Sequence, residues 1–275
     1  MSIDYAVHSD FLIHWTGKDL DCLYDSQWKN SDKSTTDSVL AKKYIERLYT
    51  ILKHGLWLTT EPESTRPVAG IQVTIPSTPK ICFTELKLSE SRKHARQYGR
   101  LGIGVKRPYI FRRCGRPLAY FGFHTDAQND QFLKSCATEL SNPNLLNFFK
   151  PMNSSRILNY DLYSESEWRI IFLQELLDRK LLVDPRDESN VEGNTFLRSL
   201  TGVEQDHLKY LAPLDGWLSM VIYPSLDVKN MAQQVDGFRI KEEIHRIKNN
   251  PDDHGNRVEH GNWPIEVDLD ACRNF

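Results

Sequence analysis

Strand-like and helix-like segments follow one another along this chain without a regular alternation. Residues 5–15 predict an opening strand, and residues 37–54 predict an amphipathic helix, because Leu40, Tyr44 and Leu48 recur at helical spacing. A doubly wound parallel sheet needs strands and helices in steady succession. The pattern therefore predicts an α+β protein with a mixed sheet.

Further segments complete this outline. Apolar runs bounded by turn residues predict strands at 56–58, 80–84, 103–105, 117–123, 167–173 and 217–223. Helical patterns occupy 89–98, 125–150 and the region marked by Ile240, Ile244 and Ile247. Residues 183–215 are mostly polar and predict no regular element.

The length of 275 residues suits a single domain spanning 1–275. Three regions look irregular: a polar loop or insertion at 18–38, a proline-rich loop at 59–80 and a polar tail at 250–275. No apolar run approaches the roughly 20 residues that span a bilayer, and the first residues do not form a signal peptide. The five cysteines contain no Cys-x-x-Cys pair. We therefore expect a cytoplasmic protein with free thiols and no membrane partner.

Charge is distributed unevenly, although the formal net charge is only -2. The segment 87–116 contains ten basic residues and one acidic residue, a net charge of +9, while the remainder carries 25 basic and 36 acidic residues, a net charge of -11. Such a segment favours an anionic partner such as phosphate or nucleic acid. Pairing of these charges with the acidic remainder would explain it equally well. The candidate phosphate or nucleic-acid contacts are Arg92, Arg96, Arg100, Arg107, Arg112 and Arg113.

Several common nucleotide-binding and hydrolase motifs do not occur in this sequence. The glycines Gly99, Gly102 and Gly104 have the wrong spacing for a dinucleotide-binding turn and precede a predicted strand rather than a helix. No phosphate-binding Gly-x-x-x-x-Gly-Lys motif and no His-Glu-x-x-His motif are present. His245, His254 and His260 match no zinc spacing, so we expect no metal.

Three short segments hold candidate catalytic or binding residues. His14 ends the first strand and is followed by Thr16 and Gly17, and Tyr98 closes the helix at 89–98. A core histidine and a half-buried tyrosine would be ordinary structural explanations for the first two segments. The third is a predicted strand with Glu165, Glu167 and Arg169 on one face and with Trp168 and Ile170 on the other. A surface ion pair would use the same three charged residues.

In this order the residues resemble the abortive-infection AbiGi family of bacterial phage-resistance proteins. The resemblance rests on His14-Trp15-Thr16-Gly17, Ile51-Leu52-x-x-Gly55, Cys82-Phe83-Thr84-Glu85, His94-x-x-x-Tyr98-Gly99-x-x-Gly102-Ile103-Gly104 and Glu165-x-Glu167-Trp168-Arg169. The sequence departs from the pattern at the insertion 18–38 and at Ser166, where arginine is expected.

More distantly, the same order is similar to ADP-ribosyltransferases of the DarT, RNA 2'-phosphotransferase and PARP kind. That resemblance implies a split mixed sheet with peripheral helices, and NAD as a substrate. It implies that Glu167 is catalytic with Glu165 beside it, and that NAD is held by His14, Thr16, Thr84, Tyr98 and Arg169. Cleavage of the nicotinamide–ribose bond develops positive charge on the sugar, which a carboxylate can stabilise.

Two other functions are consistent with the sequence. A non-enzymatic antitoxin-like or regulatory protein would bind nucleic acid or a partner toxin of the same defence system through the basic segment 87–116. A scaffold domain without a ligand would use its charges only for its own fold. Convergence of His14, Tyr98 and Glu167 on one cleft would favour the enzyme over both.

Overall fold

The computed structural model describes residues 11–21, 33–68, 71–85, 88–121, 126–151, 166–234, 237–249 and 263–274. The strands of this part of the chain are β1 (Phe11–Thr16), β2 (Leu56–Leu58), β3 (Ser64–Val68), β4 (Ile71–Ile75), β5 (Lys80–Thr84), β6 (Leu101–Lys106), β7 (Arg116–Pro117), β8 (Ala119–Phe121), β9 (Phe149–Pro151), β10 (Glu167–Ile171), β11 (Tyr210–Ala212), β12 (Leu218–Tyr223) and β13 (Ile265–Asp268).

The helices lie between these strands. They are α1 (Lys33–His54), α2 (Ser91–Tyr98), α3 (Arg107–Arg112), α4 (Asp126–Glu139), α5 (Gln174–Asp178), α6 (Val191–Ser199), α7 (Gly202–His207), α8 (Leu226–Gln234) and α9 (Gly237–Asn249). Short 3-10 turns occur at Leu88–Glu90, Pro143–Phe148 and Ala271–Asn274. In these described segments, no helix is both long enough and apolar enough to cross a membrane.

The chain forms two compact units, each built from separate segments. Unit 1 comprises Met1–Leu56, Glu85–Tyr109 and Pro213–Phe275, and unit 2 comprises Trp57–Thr84 and Ile110–Ala212.

Unit 1 contains four strands in the order β13-β12-β6-β1. β1 is antiparallel to β6, with His14 opposite Ile103, and β12 is antiparallel to β6 on its other side, whereas β13 is parallel to β12. Helices α1, α8 and α9 pack on one another, and α2 packs against β1. The mixture of strand directions with helices confirms the predicted α+β class.

Helix α1 has the predicted apolar stripe and the predicted end. Leu40, Tyr44 and Leu48 are all buried, so the helical spacing did identify the face that points into the core. The helix ends before Gly55, which has φ 103 and donates its N–H to the carbonyl oxygen of Ile51. A left-handed glycine at this position is a common helix stop.

Unit 2 contains a three-stranded antiparallel ladder in the order β5-β10-β7. β3 and β4 form an antiparallel hairpin, and β8 pairs in parallel with β9. Both faces of β10 are buried, with exposures between 0% and 9%. A strand that is covered on both faces rarely contains charged residues, because burying a charge is costly. Two of the five residues of β10, Glu167 and Arg169, are nevertheless charged.

The structure differs from the sequence-based expectations in five regions. The predicted loop at 59–80 contains the hairpin of β3 and β4, and the polar stretch 183–215 contains α6, α7 and β11. In the predicted insertion 18–38, residues 18–21 are helical and α1 already begins at Lys33. The described part of the predicted tail 250–275 contains β13. Helix α8 was not predicted either.

Candidate functional site

One face of the β5–β10 ladder is lined by polar side chains. The register places Glu167 opposite Thr84, Arg169 opposite Cys82 and Ile171 opposite Lys80. Residues that are directly opposite one another, or two apart on one strand, share a face of a sheet. Lys80, Cys82, Thr84, Glu167 and Arg169 therefore lie together. We call this set the polar face.

The opposite face of the same ladder is apolar. Ile81, Phe83, Trp168 and Ile170 are each at most 9% exposed. The Trp168 ring also meets the Phe111 ring edge-on, with 5.8 Å between their centroids. These apolar side chains anchor both strands and thereby fix the positions of the charged side chains on the polar face.

Glu167 is held by two cations. Its Oε1 accepts a hydrogen bond from Arg169 Nε at 2.6 Å, and its Oε2 accepts one from Lys150 Nζ at 2.7 Å. The Cys82 thiol donates a further hydrogen bond to the carboxylate. The Glu167 side chain is 8% exposed, compared with 18% for Lys150. The predicted surface ion pair is thus a buried one.

These contacts keep Glu167 ionised. Burial by itself would raise the pKa of this carboxyl group, but the charge and hydrogen bond of Arg169, together with the charge of Lys150, lower the pKa to about 2. The same burial, together with the negative charge of Glu167, raises the pKa of the Cys82 thiol to about 12. Glu167 therefore carries full negative charge at neutral pH, and Cys82 is a neutral thiol.

The main chain changes direction immediately before Glu167. Ser166 has φ 43, in the left-handed region, and β10 begins only at the next residue. The Glu167 N–H donates to the Tyr120 hydroxyl at 2.9 Å, so this strand start has a fixed partner. Glu165 lies outside the described residues, so the expectation that it shares a face with Glu167 stays a prediction.

Arg169 is fixed from a second side. Its Nη1 donates to the main-chain oxygen of Asn147. The Asn147 side chain in turn donates to Thr78 Oγ1 at 3.0 Å and to the Pro76 oxygen at 3.3 Å, and it accepts a hydrogen bond from Lys80 Nζ at 3.3 Å. A turn in the chain thus covers the polar face and supplies partners for its cations.

The other predicted NAD contacts are divided between the units. Thr84 and Arg169 belong to unit 2 with Glu167, whereas His14, Thr16 and Tyr98 belong to unit 1. The shared cleft of His14, Tyr98 and Glu167 therefore stays a prediction.

Within unit 1, Gly99, the residue after Tyr98, lies directly against the main chain of Thr16. A Cβ on Gly99 would lie 2.3 Å from the Thr16 oxygen, so the end of α2 directly touches the end of β1. The Tyr98 side chain remains 38% exposed, and its ring lies 5.8 Å from that of His94. His14 is half-buried.

Most arginines of the basic segment have partners within their own unit. Arg92 pairs with Asp270 and Arg107 with Glu85. Arg100 donates from Nε and Nη2 to Asp21 at 2.9 and 2.8 Å, and Arg113 is 3% exposed with Nε 3.3 Å from the Leu181 oxygen. Arg96 is exposed and Arg112 is half-buried. These contacts match the explanation in which the basic charges pair within the protein.

Sequence reasoning missed Glu61, Lys80, Asn147 and Lys150. All four lie far from Glu167 in the chain, and Glu61, Asn147 and Lys150 fall in segments predicted as a loop or as a helix, so no spacing rule connected them to it. Lys80 sits two residues before Cys82 in a predicted strand, and alternation alone would have placed both on one face. In the residues that the structure describes, no group of three or more His, Cys, Asp or Glu side chains could hold a metal ion.

Comparison with known proteins finds no match among family models, curated proteins or solved structures.

Proposed function

We propose that this protein is a bacterial anti-phage effector of the abortive-infection type that consumes NAD in the cytoplasm as an ADP-ribosyltransferase, with the split-sheet fold of that class. The observation that carries the proposal is the Glu167 carboxylate, kept ionised on a buried strand. A fixed negative charge in a site of low dielectric is suited to stabilise positive charge that develops on a sugar.

The chemistry balances with NAD and an acceptor. The bond between ribose C1′ and the nicotinamide nitrogen breaks, and nicotinamide leaves with the bonding electron pair. A water molecule or a nucleophilic group of the target adds to C1′ and releases a proton to solvent. Glu167 stabilises the oxocarbenium-like sugar between these steps, while Arg169 holds its carboxylate in place.

Lys150 has a specific place in this scheme. Its ammonium group donates a hydrogen bond to Oε2 of Glu167. In the proposed reaction that oxygen faces the sugar, so the ammonium group has to leave it. Arg169 is anchored to the main chain at Asn147, whereas Lys150 has the more exposed side chain of the two cations. Lys150 is therefore the cation that moves when the substrate enters.

The non-enzymatic alternative has less support. It requires the basic segment to present free cationic side chains to nucleic acid or to a partner toxin. Arg92, Arg100, Arg107 and Arg113 are instead engaged by carboxylates or carbonyls of their own unit. Exchanging these contacts for phosphate would gain little, since each new ion pair costs an existing one.

The test is NAD turnover by purified protein and by infected cells, with labelled NAD followed into nicotinamide and into macromolecules. Glu167→Gln should lower turnover by about 10²–10³-fold, because it removes the charge and keeps the shape. Glu243→Gln is the matched control: Glu243 also pairs with an arginine, Arg246, at 2.7 Å and is 14% exposed, but it lies in unit 1 on α9.

A second variant separates catalysis from stability. Glu167→Gln also leaves two cations without their anion, so a loss of activity could follow from unfolding alone. Lys150→Met keeps the carboxylate and its Arg169 partner and removes only the competing ammonium. We expect this variant to retain or increase turnover. Wild-type protein that neither releases nicotinamide nor transfers label, alone or with extract of infected cells, would refute the proposal.

A further inference from the structure

The ion pair between Lys80 and Glu61 is asymmetric in its burial. Lys80 lies on β5 with a side chain only 8% exposed, and its Nζ is 2.6 Å from Glu61 Oε2. The Glu61 side chain is 71% exposed. A buried ammonium thus depends on a carboxylate that reaches in from the surface.

The ion pair matters more for the stability of the Lys80 ammonium than for that of the Glu61 carboxylate. A buried ammonium without an anion is strongly destabilising, so Lys80 requires a negative group at this position. An exposed carboxylate is almost equally stable in water, because surface ion pairs add little to stability. Any other oxyanion of suitable size could replace Glu61 with little net electrostatic cost.

Only the side chain of Glu61 has to move for such an exchange. Its main-chain oxygen accepts a hydrogen bond from Ser77 Oγ at 2.7 Å. Two residues earlier, Thr59 forms a two-way main-chain bridge with Lys80, at 3.1 and 2.9 Å. The loop is therefore held at both points while the carboxylate projects beyond them.

The surroundings add positive potential. Arg169 lies close enough to feel the charge of Glu61, and Asn147 Oδ1 accepts from Lys80 at 3.3 Å and so orients the ammonium. An oxyanion that enters the site would accept a hydrogen bond from the oriented, nearly buried ammonium group of Lys80. The positive charge of Arg169 would attract it as well. Directed, charge-assisted hydrogen bonds of this kind are the strong ones.

We propose that Lys80 is the core of an oxyanion-binding site in which a carboxylate or phosphate group of a ligand replaces the carboxylate of Glu61. Glu61 acts as an internal stand-in that keeps Lys80 neutralised while the site holds no ligand. This site is distinct from the sugar-facing role proposed for Glu167, and it does not depend on NAD cleavage.

The experiment measures thermal unfolding against inorganic phosphate, with sodium chloride matching the ionic strength. Glu61→Gln removes the competing carboxylate, so phosphate should raise its melting temperature by roughly 4 °C at a concentration tenfold above Kd. Wild-type protein should need more phosphate for the same shift. Glu63→Gln, in the same loop and also exposed, should behave as wild type.

A double variant identifies the binding group. Glu61→Gln with Lys80→Met should lose the phosphate-dependent shift, and it should remain folded because it leaves no unpaired buried charge. Parallel titrations with acetate distinguish a preference for carboxylate from one for phosphate. Equal phosphate shifts in Glu61→Gln, Glu63→Gln and the double variant would overturn the proposal. If Glu61→Gln does not fold in chloride, recovery in phosphate or acetate supports the site, and failure in both refutes it.

Discussion

At the scale of single residues, Glu167 should make the stability of the protein sensitive to acid. Its folded-state pKa is about 2 and its ordinary value is 4.5, so folding favours the ionised form. The resulting stabilisation, about 3 kcal/mol, is complete above pH 4.5 and is lost as the pH falls towards 2. The free energy of unfolding, measured with urea between pH 6 and pH 2.5, should therefore decline.

The control for this prediction is Glu167→Gln. The variant cannot titrate at this position, so its decline over the same pH range should be shallower by about the amount that Glu167 contributes. Parallel curves for both proteins would show that Glu167 does not stabilise the folded state through its charge.

Gly99 should be intolerant of any side chain. It has φ 112, and a Cβ would lie 2.3 Å from the Thr16 oxygen and 2.4 Å from the Lys18 nitrogen. Gly99→Ala is expected to reduce the free energy of unfolding by at least about 2 kcal/mol, because neither backbone can easily retreat. Urea denaturation measures this loss.

Gly202 provides the matched comparison. It begins α7, and a Cβ there would meet nothing within 4 Å. Gly202→Ala should be neutral or stabilise by about 0.5–1 kcal/mol through a less flexible unfolded chain. Similar losses at the two glycines would contradict the contact seen at Gly99.

The sequence identified part of the candidate site at this scale. Strand alternation correctly put Glu167 and Arg169 on one face and Trp168 on the other. Alternation is a local rule, so it could not reveal that Lys150 and Asn147 complete the cluster from another part of the chain. It also failed at Ser166, because a left-handed serine is not signalled by residue type in the way that a glycine would be.

At the scale of elements, the start of α7 should depend on its cap. Thr201 Oγ1 accepts from the Glu204 N–H at 3.4 Å, and Glu204 Oε2 accepts from the Thr201 N–H at 3.0 Å. This reciprocal pair satisfies two amides that the helix cannot satisfy itself. Thr201→Ala should cost about 1 kcal/mol in unfolding free energy, measured by urea denaturation.

The same substitution inside a helix should have the opposite effect. Thr138 lies in α4 with an exposed side chain and bonds back to the Lys134 oxygen at 2.9 Å. Thr138→Ala should be neutral or slightly stabilising, because alanine has the higher helix propensity and no amide loses its partner. A loss at Thr138 as large as that at Thr201 would rule out capping as the cause.

Helices and strands with a clear pattern of apolar residues were predicted well. The strands in the proline-containing segment 59–80 were not. The stripe of α1 and the apolar runs of β5 and β12 gave their positions within a few residues. The prolines of 59–80 suggested a loop, yet Pro67 lies within β3 opposite Gln72. A two-stranded hairpin leaves one edge of each strand free of ladder bonds, so proline, which has no N–H, is tolerated there.

At the scale of the whole molecule, the thiols should report on the folded state. Burial raises the pKa of Cys272 to about 11 and that of Cys82 to about 12, and these two cysteines lie in different units. Only thiolates react with iodoacetamide, so at pH 8 both should be modified at least about 100-fold more slowly in folded than in unfolded protein.

Peptide mass spectrometry before and after addition of urea gives both rates. Cys82 and Cys114 are both partly exposed, so Cys114 serves as the internal comparison at similar accessibility, and it should react faster than Cys82 in the folded protein. Rapid modification of Cys82 in native buffer would contradict the raised pKa of its thiol.

The order of helical and strand segments in the sequence predicted the fold class. It did not predict that the chain forms two units. Irregular alternation indicated an α+β protein, and the described mixed strands confirm it. The two units are assembled from five separate segments, whose limits fall between Leu56 and Trp57, Thr84 and Glu85, Tyr109 and Ile110, and Ala212 and Pro213. None of these limits carries a glycine- or proline-rich linker of the kind that marks domain boundaries in a sequence; only single residues, Gly55, Pro108 and Pro213, lie beside three of them.

This interleaving sets the order in which the chain can fold on the ribosome. Unit 2 is fully synthesised once Ala212 has left the exit tunnel, and its ladder of β5, β10 and β7 needs nothing made later. In unit 1, β6 must wait for β12, which is translated more than a hundred residues afterwards. Pairing over such a distance is slow, and the early strands β1 and β6 pass through this interval without their full sheet. Nascent unit 1, rather than unit 2, is thus where chaperones would be needed during synthesis.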